Sequence, residues 1–112
     1  ILHITIYFLL VLMIPGPPQI TYDPSREVYD GTMLSMTCAA DTPDLANTEL
    51  VWLQGGQRLP TGEVMKRGGR LVHTQMIPAL IGDTAERYEC HVLHPNLPEP
   101  LVAYASPIGN KS

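Results

Sequence analysis

Two cysteines constrain this chain more than any other feature. Cys38 and Cys90 lie about 50 residues apart, with none of the C-x-x-C spacing that zinc and thiol-redox sites use. A single long-range disulfide is the economical reading. Closing a loop of that length stabilises a fold by roughly 4 kcal/mol in the chain-entropy relation, and the bond requires an oxidising compartment.

The chain has 112 residues, of which 45% are hydrophobic, enough for one domain around one core. Its formal charge is -4, and its seven Lys and Arg are scattered. Only Lys66, Arg67 and Arg70 lie close together, in Lys66-Arg67-Gly68-Gly69-Arg70, which reads as a solvated turn. A phosphate-binding surface is not expected, and nucleic acid is excluded as a partner.

Residues 1–16 form an apolar N-terminal segment, almost unbroken from Ile4 to Ile14 and ended by Pro15-Gly16-Pro17-Pro18. The run is too short to cross a bilayer as a helix. Two readings stay open. It is the apolar core of a secretory signal, or an ordered β-arm, which the alternation of Ile4-Thr5-Ile6-Tyr7 supports. The first places the protein directly on the secretory route, as secreted or on the extracellular side of the cell surface; the second does so only through the disulfide.

Beyond the prolines the chain divides into short β-like runs, with no convincing amphipathic helix. Strands are predicted at Gln19 to Tyr22, Met33 to Ala39, Glu49 to Leu53, Leu71 to Ile77, Arg87 to Leu93 and Leu101 to Ala105. Alternation turns Leu34, Met36 and Cys38 to one face and Met33, Ser35 and Thr37 to the other, and pairs Leu50 with Trp52. Asp30-Gly31 and Gly55-Gly56 read as turns. Even spacing of such strands points to an all-β sandwich or barrel.

Cys38, Trp52 and the triplet Tyr88-Glu89-Cys90 together resemble the immunoglobulin pattern of disulfide, core tryptophan and tyrosine corner. Tyr88-Glu89-Cys90-His91-Val92-Leu93-His94, followed by Leu97-Pro98-Glu99-Pro100-Leu101, resembles the Y-x-C-x-V-x-H and L-P-E-P-L segments of constant-type domains. The likeness is greatest to the membrane-proximal domains of major histocompatibility complex chains and their relatives. Trp52-Leu53-Gln54-Gly55-Gly56-Gln57 is similar to their W-L-x-x-G-x segment. The resemblance covers residues 17–105 and leaves 106–112 as a C-terminal tail. It implies an all-β, immunoglobulin-like two-sheet Greek-key sandwich with one inter-sheet disulfide, Cys38 to Cys90, and with Trp52 and Tyr88 in the core.

Two departures limit it. Thr42-Pro43-Asp44 stands where the family usually has an aromatic run, so the loop after the Cys38 strand is remodelled. No peptide-binding platform precedes the domain in this sequence, so peptide presentation by this segment alone is not expected.

No catalytic constellation stands out, and no cofactor or metal is implied. His91 and His94, three apart on a strand, face opposite sides; His94 reads as the family's structural histidine and His91 as surface-facing. Asp41, Asp44 and Glu49 lack the spacing of a calcium loop and read as solvated. Asn110-Lys111-Ser112 is an N-glycosylation acceptor triplet.

The function expected is non-catalytic binding or assembly in an immune-recognition or antigen-presentation protein, by pairing with another immunoglobulin-like or immune cell-surface protein. A secreted or virus-encoded decoy of the same fold and a structural adhesion module are the alternatives. Any membrane attachment would lie outside this segment; an apolar run after Ser112 would favour a receptor subunit over a secreted factor. Alternation sends Val51, Leu53, His91 and Leu93 outward together, as a water-exposed patch for docking. Constant-type domains resembling this one often pair instead through the sheet that carries Met33, Ser35 and Thr37.

Overall fold

Alternating apolar and polar residues produce the strands. The computed structural model describes residues 13–79 and 88–111. Among these, β1 (Gln19–Asp23), β2 (Glu27–Tyr29), β3 (Met33–Asp41), β4 (Glu49–Gln54) and β5 (Gln57–Arg58) are followed by β6 (Glu63–Arg67), β7 (Arg70–Pro78), β8 (Tyr88–Leu93), β9 (Leu101–Ala105) and β10 (Ile108–Asn110). The helical content of the described residues is one 3-10 turn, Leu45–Asn47. All six predicted strands form. The expected arm around Ile4 to Tyr7 lies outside the described residues.

Two four-stranded antiparallel sheets result, in the orders β1-β3-β7-β6 and β5-β4-β8-β9, with a separate parallel pair β10-β2. Gly55 and Gly56 close the β4–β5 hairpin at φ 57° and 81°, and Gly68 and Gly69 close the β6–β7 hairpin at 56° and 77°. Left-handed φ at both central residues matches the twist of the flanking strands. The second hairpin is the turn expected around Lys66 to Arg70.

Both sheets turn one face to a common core. β3 contributes Leu34, Met36, Cys38 and Ala40; β4 Leu50 and Trp52; β7 Leu71 and Ile77; β8 Tyr88, Cys90 and Val92. The Cys38–Cys90 disulfide joins β3 to β8, hence one sheet to the other, with Cα atoms 6.4 Å apart.

A second link runs beside it. His73 of β7 is the ladder neighbour of Cys38, and Trp52 of β4 is the neighbour of Cys90. The Trp52 indole Nε1–H donates to the His73 carbonyl at 2.9 Å. Disulfide, ladder, indole hydrogen bond and ladder thus close a ring across the core. The His73 side chain, also buried, strengthens it: the Gly62 N–H donates to Nε2 at 2.9 Å, so Nε2 carries no hydrogen. Nδ1–H then donates to the Leu50 carbonyl at 3.0 Å. Position 62 suits glycine, because a Cβ there would sit 2.2 Å from the Thr74 carbonyl oxygen.

Candidate interaction surface

The four residues expected to dock a partner share one face. Val51 pairs with His91, Leu53 with Glu89, and Glu49 with Leu93; β9 adds Val102 beside His91 and Tyr104 beside Glu89. Their exposure differs from expectation. Val51 is only 6% exposed, and Leu53, His91 and Leu93 are half-buried. Alternation fixes the side a residue faces but not what lies over it. The chain after β5 returns along the edge of β4, where the Leu59 N–H donates to the Trp52 carbonyl at 2.8 Å. Val51 consequently lines a cleft of about 190 Å³ with Arg58 and Leu59. The water-exposed apolar residues of this face belong to β9: Val102, and Tyr104 at 60%.

His91 lies on this outward face as alternation implies, but it is half-buried, with its side chain 20% exposed. Its Nε2 is shielded from solvent, has no hydrogen-bond partner among the described residues, and lies 3.8 Å from Glu89 Oε2. Val51 and Val102 flank it across the two ladders.

The opposite sheet presents a broader apolar surface. Outward from β1-β3-β7-β6, register forms the rows Gln19-Ala39-Val72-Met65, Thr21-Thr37-Thr74-Glu63 and Asp23-Ser35-Met76, with Met33 beside Pro78. Met33, Met65 and Met76 are all exposed. Thr37 and Thr74 share a hydroxyl–hydroxyl hydrogen bond of 3.0 Å, and the Ser35 hydroxyl donates to the Met76 sulfur at 2.8 Å. The centre is uncharged.

At the loop end, the acidic residues do not converge. Arg70 Nη1 donates to Asp41 at 3.0 Å, Glu49 pairs with Arg58, and Asp44 meets His94. The expectation of a wholly solvated loop fails at Asp44, whose side chain is 13% exposed. The Asn96 N–H donates to His94 Nδ1 at 3.1 Å, so the imidazole hydrogen is on Nε2 and points at Asp44 Oδ2, 2.9 Å away. Asn47 Nδ2 donates to both carboxylate oxygens of Asp44, at 3.2 and 3.0 Å. This clasp ties the β3–β4 connection to the β8–β9 connection through His94.

The His94 hydrogen bond, followed by those from Asn47, holds the Asp44 carboxyl below the usual carboxylate range, outweighing burial, which acts the other way. An unfolded Asp titrates at about pH 4. Because the folded value is lower, the unfolded chain takes up the proton first as pH falls. The stabilisation is therefore complete above about pH 4 and is lost as pH drops through the folded value. Thermal midpoints of wild type and Asp44→Asn should differ at neutral pH and converge at the acid end; a gap that stayed constant with pH would contradict this.

Tyr88 is buried and accepts a 3.4 Å hydrogen bond from Gln54 Nε2; the corner that its hydroxyl was expected to tie falls at residues 80–87, outside the described residues. Asn110 is exposed on β10. His73 was not anticipated, although its inward position between Leu71 and Ile77 was readable from alternation. No family model and no curated protein matches the chain.

Proposed function

We propose that residues 17–105 form a constant-type immunoglobulin domain with Greek-key connections, which works without catalysis by pairing with another immunoglobulin-like or immune cell-surface protein. The observation that carries this reading is strand order together with the place of the bridge. Strands β1, β3, β7 and β6 follow the A-B-E-D order of such domains, and β4, β8 and β9 follow C-F-G. The disulfide joins the B and F equivalents, with Trp52 on the C equivalent beside it. Strand β5 and the β10-β2 pair are additions to that plan.

The burial of Val51 shifts the proposed interface to the outward face of β1-β3-β7-β6. Interface centres are depleted in charge and enriched in Met, whose flexible thioether adapts to a facing surface. This face has both properties: three exposed Met around an uncharged Thr and Ser centre. It is also the sheet through which domains resembling this one often pair.

Surface plasmon resonance against a panel of immune-cell ectodomains tests the proposal. Wild type should bind an immunoglobulin-like partner, and the double variant Met33→Asp, Met76→Asp should lose roughly tenfold or more in affinity. Loss on Leu53→Ser, Leu93→Ser alone would move the interface to the β4–β8 face. Failure of wild type to bind any member would overturn pairing.

A further inference from the structure

We propose that Asn110 is N-glycosylated and that the first N-acetylglucosamine packs against the ring of Tyr29. Three observations meet here. Asn110 begins the acceptor triplet Asn110-Lys111-Ser112. It is exposed at the end of β10, and the parallel register sets it directly beside Tyr29 of β2. Both residues line one groove of about 420 Å³, with Pro24, Val28 and Thr32 among the other walls. That volume lies in the range that holds small ligands.

Tyr29 is among the most exposed large apolar side chains of the described residues. It is 65% exposed, yet it offers a flat apolar face at the mouth of a groove whose lining is mainly apolar. The C–H face of a pyranose ring is apolar and its hydroxyl rim polar, so it stacks on such a ring while the rim stays in water. The backbone that carries the attachment residue is held in place: the Asp30 N–H donates to the Asn110 main-chain carbonyl at 2.7 Å, which fixes β10 against the turn after β2. In the transfer, Asn110 Nδ2 bonds to C1 of a lipid-linked pyrophosphate oligosaccharide. The C1–O bond to pyrophosphate breaks, and the amide loses one proton as the lipid pyrophosphate departs.

The inference rests on the proposed function together with the secretory route read from the sequence, and its test is independent of any partner. The full chain is expressed through the secretory pathway of eukaryotic cells, the 38–90 bridge is verified, and intact mass is measured before and after peptide-N-glycosidase. A glycan mass that disappears in Asn110→Gln is expected; unmodified Asn110 in bridged protein would overturn the proposal. Glycan is then trimmed to one N-acetylglucosamine and its proton NMR spectrum recorded. Upfield ring-current shifts of sugar protons are expected, and they should vanish in Tyr29→Ser, which folds because the side chain is exposed. A sugar with the same shifts in both proteins would overturn the stacking.

Discussion

Replacing Cys38 and Cys90 together by Ala is expected to cost on the order of 2–5 kcal/mol of stability, measured by urea unfolding at neutral pH. The bridge closes a separation of 52 residues, for which the chain-entropy relation gives about 4 kcal/mol. Both sulfurs lie in fully buried residues at the centre of the core, so a double Ala variant also loses packing there. Peptide mapping of the wild type without reductant should find one linked pair; two free thiols in folded protein would contradict the bridge.

Trp52→Ala should destabilise the oxidised protein by about 3–5 kcal/mol, the range for large aromatic residues lost from a core. Trp52 is fully buried between the sheets. The variant Trp52→Phe separates packing from polarity. It keeps most of the apolar surface but removes the 2.9 Å indole donor to the His73 carbonyl, at a cost of about 0.5–1.5 kcal/mol for one hydrogen bond lost. An Ala variant close to wild type would show that the indole is not a core element. A Phe variant equal to wild type would assign the whole effect to packing and none to the cross-sheet hydrogen bond.

Alternation made the two large sheets legible, because their strands have one wet face and one dry one. Leu34, Met36 and Cys38 against Met33, Ser35 and Thr37 is such a case, and the observed burial follows it. It could not reveal β6, whose five residues are all exposed and carry no alternating signal. Nor could it reveal β2, β5 and β10, two or three residues each, which exist through their pairing partners. The exposure of Val51 was misjudged for a related reason: the side a residue faces is local information, whereas the residues that share its cleft, Arg58 and Leu59, come from β5 and the position directly after it. The clasp between Asp44 and His94 spans 50 positions. His94 was marked by its motif, but nothing around Asp44 named its partner.

Of the four edge strands that the two large sheets show among the described residues, β6 and β9 differ most. Strand β6 closes one sheet with Glu63, Lys66 and Arg67, charges that an incoming strand would have to desolvate. Strand β9 closes the other with Leu101-Val102-Ala103-Tyr104-Ala105, which is uncharged and rich in β-forming residues. What limits β9 is its length: Pro100 stands directly before it and Pro107 two residues after it. Proline withholds the N–H that a continuing ladder would use. An incoming strand thus meets charge along β6 and, along β9, an uncharged edge too short to template a long ladder.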